Sequence, residues 1–181
     1  FWRGVWQTWN PYEFGGIPFL ATIQPAPVYP PKVLFFGLWD PATALRVFLV
    51  LHFVLMGGLF GWFLRESGIG ALGLVVGTLF WTFHFEVLLS NSHPIRIATL
   101  GWVPLIFLLG QSLARSVDLV RFAVLALVGA LQITAGYPEF VMDTGLVLAL
   151  HVTVLYLNGD SVRPPWHSVP LLAGAFLLGG L

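Results

Sequence analysis

His93 and Arg96 flank Pro94 where a helix is set to begin, a place where a cation meets the unfavourable end of the helix dipole and an anion is welcome. Two readings follow: an anionic ligand sits there, or Arg96 forms a salt bridge to Glu86 or Glu139. Glu139 and Asp143, four residues apart, share one helix face; they can hold a divalent cation together with water, or solvate a helix end. His84 and Glu86 are two apart, about 200° around a helix, so both enter one site only if the helix breaks between them. His52 and His151 stand alone in apolar stretches, where a histidine more often satisfies a carbonyl than a cofactor. Gly15-Gly16 and Gly57-Gly58 fit no phosphate-binding loop, and no nucleophile-histidine-acid order appears.

The elements that position these groups are membrane spans. Hydrophobic residues make up 57% of the 181 and charged residues 9%, far below the roughly 25% charge of a soluble domain, and mean hydropathy is +0.87. A bilayer core of about 30 Å takes ~20 apolar residues per helix, and the chain is long enough for about six. Apolar runs predict spans over 43–64, 71–89, 95–113, 119–136 and 140–157, with a sixth over 168–181 that stops short of a full crossing. Their stops are Arg65-Glu66-Ser67-Gly68, Asn91-Ser92-His93-Pro94, Arg115-Ser116-Val117-Asp118, Gly136-Tyr137-Pro138-Glu139 and Asn158-Gly159-Asp160. The expected fold is all-α, a polytopic transmembrane bundle of five to six spans over residues 43–181.

Residues 1–42 differ from the rest. Pro11, Pro18, Pro25, Pro27, Pro30, Pro31 and Pro41 recur too often for a long helix, and Trp2, Trp6, Trp9, Tyr12, Tyr29 and Trp39 suit the headgroup layer. The segment reads as a long loop lying on the membrane. Arg65, Arg115, Arg121 and Arg163 fall on one side of the spans and Arg3, Lys32, Arg46 and Arg96 on the other, an even count. The first four sit in short turns, which favours that side as cytoplasmic and puts the proline-rich segment outside. The outer face then collects Glu13, Asp40, His84, Glu86, His93, Arg96, Tyr137, Glu139 and Asp143. Eight basic residues balance eight acidic ones, so no basic field collects nucleic acid. Without cysteine, disulfides and thiolate metal sites are excluded.

The motif order Trp9-Asn10-Pro11-Tyr12, Phe14-Gly15-Gly16-Ile17-Pro18-Phe19, Gln24-Pro25-Ala26, Tyr29-Pro30-Pro31 and Leu51-His52 resembles the YfhO-like bacterial membrane proteins, a branch of the GT-C glycosyltransferase superfamily. Gly101-Trp102-Val103-Pro104-Leu105 and Gln132-Ile133-Thr134-Ala135-Gly136-Tyr137-Pro138-Glu139 extend the likeness over nearly the whole chain, although Tyr137 and Glu139 stand where that family tends to have His and Gln. The resemblance implies a bacterial cytoplasmic (inner) membrane protein. Its reaction would be inverting transfer of a sugar from a polyprenyl-phosphate lipid on the extracytoplasmic face. It also implies a first transmembrane helix, and an acidic residue just after it, that would precede Phe1. Glu13, Glu86 or Glu139 would take the acceptor proton, Arg96 and His93 would neutralise the departing phosphate, and Glu139 with Asp143 would hold a divalent cation. The rival reading is a non-catalytic accessory subunit of a larger photosynthetic or respiratory complex, with 16 Phe and 8 Trp as contact area and His52, His84 or His151 as ligands to a porphyrin.

Overall fold

The computed structural model describes residues 8–19, 21–22, 24–84, 93–160 and 164–180. Trp2, Trp6, Arg3, Glu86, Arg163, the 85–89 end of the second expected span and the Asn91-Ser92 break lie outside them.

Near the N-terminus, β1 (Trp9–Asn10) pairs antiparallel with β2 (Ile17–Pro18). The loop between them needs Gly16: its φ is +120°, and a methyl group there would meet the Trp9 indole at 2.5 Å. Tyr12 and Phe14 at the tip are 91% and 98% exposed. The proline-rich segment is not all loop, because Pro30 and Pro31 open a nine-residue helix, α1 (Pro30–Leu38); proline is tolerated in the first turn, where its missing N–H has no partner to lose.

Seven further helices follow among the described residues. They are α2 (Pro41–Glu66), α3 (Ala71–Phe83), α4 (Pro94–Gly101), α5 (Val103–Arg115), α6 (Leu119–Thr134), α7 (Pro138–Leu157) and α8 (Pro165–Gly180). Asp40 caps α2 by accepting from the Ala42 and Thr43 amides, both at 3.1 Å, and Pro41 fixes the first turn. At the other end Gly68, φ +76°, lets its amide and that of Ile69 turn back to the Arg65 and Leu64 carbonyls. Trp102 separates α4 from α5 while keeping helical angles, and Pro104 just beyond it has no amide to donate backward.

Among the described residues three helices are long and apolar enough to cross a membrane: Pro41–Glu66, Pro94–Arg115 and Pro138–Leu157. The runs expected as further spans form the shorter apolar helices α3, α6 and α8. Among the described residues the second expected span ends at Phe83, because His84 takes extended angles and its Nδ1 donates to the Trp81 carbonyl at 2.7 Å.

The helix pairs are registered by small residues, the device that packs helices where lipid removes the hydrophobic drive. A methyl group on Gly57 would meet Thr82 Oγ1 at 2.9 Å, one on Gly61 Thr78 Oγ1 at 3.2 Å, and one on Gly77 the Leu64 side chain at 2.7 Å. The descending pairs make α2 and α3 antiparallel. Gly129 against Phe176 and Gly180 against Ile133 ascend together, so α6 and α8 run parallel with α7 between them in sequence. Connectivity therefore gathers the N-terminal segment and the starts of α2, α4 and α7 at one end, here the segment end. The turns that carry Arg65 and Arg115 lie at the other.

The surface is apolar as well as the core, and the core admits several polar side chains. Val50, Val54, Leu72, Phe80, Leu127, Leu146 and Leu157 are exposed, whereas His52, Thr99, Gln132, Thr144 and Ser168 are buried. Lipid accepts such an apolar belt and water does not. Such a surface is that of a membrane protein.

Candidate functional site

Tyr29, expected among the headgroups, is instead fully buried beside Phe48 and Ala98. The reason is hydrogen bonding. His52 Nδ1 donates to the Phe48 carbonyl at 2.6 Å, which leaves Nε2 as acceptor; the Tyr29 hydroxyl donates to it at 2.7 Å and itself accepts from Trp102 Nε1 at 2.9 Å. Both nitrogens of His52 are thus engaged, as its reading as a packing residue requires, and neither is free for a porphyrin. The network ties the N-terminal segment to α2 and to the α4–α5 junction. Burial pushes the Tyr29 hydroxyl well above its ordinary pKa, against the opposing pull of the Trp102 bond. Desolvation lowers the Lys32 ammonium, which donates to the Pro25 carbonyl.

A second constellation lies at the starts of α4 and α7. The Arg96 guanidinium lies 4.7 Å from the centre of the Tyr137 ring and donates to its hydroxyl. Tyr137 in turn packs on Phe140, their ring centres 4.8 Å apart. Phe140 borders a cavity of about 410 Å³. Five aromatic rings from four helices line it: Phe60 and Phe63 from α2, Trp81 from α3, Phe107 from α5 and Phe140 from α7. Asp143, Val147 and His151 form one stripe of α7 along it, four residues apart. Leu100, one turn below Arg96, lines it from α4. The Trp81 indole N–H is buried with no hydrogen-bond partner among the described residues. Thr144 accepts from buried Gln132 Nε2 at 2.8 Å and reaches the same wall.

The candidates separate by place. Arg96 is half-buried and His93 exposed as the N-cap residue of α4. Glu139 is exposed in the first turn of α7, and Asp143, one turn further, borders the cavity. Glu13 is exposed in the β1–β2 loop, and Glu86 lies outside the described residues. No group of three or more His, Asp or Glu side chains that could hold a metal ion gathers among the described residues. Glu139 and Asp143 could offer a cation two carboxylates of the same helix, with solvent supplying the remaining ligands. His151, read from sequence as packing, lies on the cavity wall between Phe63 and Phe107 and donates from Nε2 to Gln111 Oε1 at 3.3 Å. Sequence reasoning missed the cavity itself. The signal available was the helical spacing of Asp143 and His151, but nothing in one helix names the rings on three others.

No family model, curated protein or solved structure matches the chain.

Proposed function

We propose that this chain belongs to a membrane transferase that moves a sugar from a polyprenyl-phosphate carrier to an acceptor hydroxyl. The segment end faces outward from a bacterial cytoplasmic membrane, and α3, α6 and α8 complete the crossings begun by the three long helices. One observation carries the reading: the Arg96–Tyr137–Phe140 stack joins a guanidinium at a helix start to a 410 Å³ aromatic cavity. A charged head and a long apolar tail need those two environments side by side.

In this reading Arg96, held over Tyr137, and His93 meet the phosphate. The positive end of α4 adds to their field, and all three stabilise the charge that grows as the sugar–phosphate bond breaks. The acceptor oxygen attacks the anomeric carbon from the opposite face, inverting it, and its proton passes to a carboxylate. Among the described residues Asp143 fits that task better than Glu13, because Asp143, although also exposed, borders the cavity one turn beyond Glu139. Glu139 lies at the entrance.

Two substitutions test the assignment. Arg96→Ala should weaken binding of polyprenyl phosphate by about a hundredfold, the worth of a hydrogen bond to a charged group with its field. Asp143→Asn should retain binding and lower transfer by about a hundredfold or more. Unchanged binding in the first variant overturns the phosphate site. Stoichiometric co-purification with a pigment or electron-transfer complex would favour an accessory subunit instead.

A further inference from the structure

At the end of the bundle remote from Arg96 lies a smaller cavity of about 250 Å³ with a different chemistry. Trp62 and Glu66 reach it from the last turn of α2, Gln111, Ser112 and Arg115 from the end of α5, and Arg121 from the start of α6. Unlike the aromatic cavity it carries both signs of charge. Arg121 is committed within the protein: it donates to Ser116 Oγ at 2.6 Å and pairs with Asp118 at 3.7 Å. Arg115, exposed, has no hydrogen-bond or ion-pair partner among the described residues. Glu66 accepts from the Trp62 indole at 3.3 Å through one oxygen, and its other oxygen has no partner there. An uncommitted guanidinium and a half-committed carboxylate therefore share one cavity without pairing with each other.

We propose that this cavity binds the phosphoethanolamine head group of a membrane phospholipid. The phosphate pairs with Arg115, with Ser112 as a further donor, and the ammonium donates to Glu66 beside the Trp62 indole, whose π face attracts a cation. Leu105, Leu108 and Leu109 continue the cavity wall in the apolar direction that the acyl chains take. The placement suits a lipid: the site lies at helix ends, and Trp62 is half exposed, as an indole at the membrane boundary is. The carboxylate selects among lipids. A head group with net negative charge is repelled by Glu66, and a trimethylated ammonium cannot donate a hydrogen bond to it. This site is independent of the transferase reading.

The test is lipid retention by the full chain, purified in mild detergent and equilibrated with equal amounts of phosphatidylethanolamine, phosphatidylglycerol and phosphatidylcholine, then read by native mass spectrometry. The wild type should retain phosphatidylethanolamine about fivefold over each of the others, the scale of one charged contact near a membrane surface. Glu66→Gln should remove that preference and favour phosphatidylglycerol. Arg115→Gln should lower retention of both about fivefold, while Arg65→Gln, at the same end but outside the cavity, leaves retention unchanged. Equal retention of the three lipids by the wild type, or a preference that survives Glu66→Gln, overturns the proposal. So does displacement of the lipid by equimolar inorganic phosphate, which would mark a site for a free anion. A second measurement does not depend on the charge variants: brominated phosphatidylethanolamine should quench a fluorescence component that Trp62→Phe removes, and quenching identical in the two proteins counts against the site.

Discussion

Two buried polar networks occupy the same apolar bundle and differ in completeness. In the Trp102–Tyr29–His52 chain every polar group has a partner: indole to hydroxyl, hydroxyl to imidazole, imidazole to the Phe48 carbonyl. In the other, Gln132 spends its amide on Thr144 and on the Thr99 carbonyl at 3.4 Å, while its Oε1 is buried without a partner among the described residues. The complete network lies where a segment must be held. The incomplete one leans, through Thr144, against the wall of the aromatic cavity. In a medium that offers no water, an open valence is tolerated where something else can enter. The contrast separates polar groups that anchor the chain from those that lean on the cavity.

Breaking the complete network should have the larger effect on stability. Tyr29→Phe deprives the Trp102 indole of its acceptor and His52 of its donor at once, and the cost should be about 2 kcal/mol, with buried unsatisfied groups in membrane helices at the lower end of their usual range. Denaturant unfolding in bicelles measures it. Affinity for polyprenyl phosphate should hold in this variant; a fall as deep as that of Arg96→Ala would mean that the two networks are one site.

Gln132→Leu should cost less, about 0.6 kcal/mol, since the substitution removes an unsatisfied carbonyl together with two hydrogen bonds, and Thr144 keeps its own bond to the Phe140 carbonyl. A loss in the same unfolding assay larger than that of Tyr29→Phe would reverse the comparison.

The same contrast explains what the sequence disclosed. Apolar length and the stops at Gly68, Pro94, Asp118 and Pro138 are local signals, so the long helices α2 and α7 lie within three residues of the expected spans. Asp40-Pro41, a cap followed by a first-turn proline, was a legible helix start that the apolar run alone places two residues late. Pro30-Pro31 opens a helix inside a segment whose proline content reads as loop. The burial of Tyr29 was not legible, because its partners are 23 and 73 residues away and nothing near it distinguishes it from an interfacial aromatic. Arg96 and Asp143 stood out as charges in apolar surroundings. The rings that connect them did not, since a Phe at helical spacing is common to every span.

The smallest expected effect sharpens the comparison by titration. The Tyr29 hydroxyl holds its proton well above the ordinary value of about 10, chiefly because it is shielded from water. In the unfolded chain it ionises near that value. Below it both states carry the proton and the anchor contributes fully; above it the unfolded state releases a proton that the folded state keeps, so stability is lost as pH rises. Asp40 behaves in the opposite sense. Its carboxylate is held below the usual range by the Thr43 hydroxyl and by the amides it caps, so its contribution is present above that range and disappears as acid protonates it. The stability difference between wild type and Tyr29→Phe isolates the tyrosine, because every other titrating group cancels. It should be constant from pH 7 to about 9 and shrink as the pH passes about 10. Absorbance of the tyrosinate band should agree, with one of the four tyrosines ionising only as the protein unfolds. A difference that stays flat through pH 11 would mean that the hydroxyl is reached by water, and the complete network would then be no better sealed than the incomplete one.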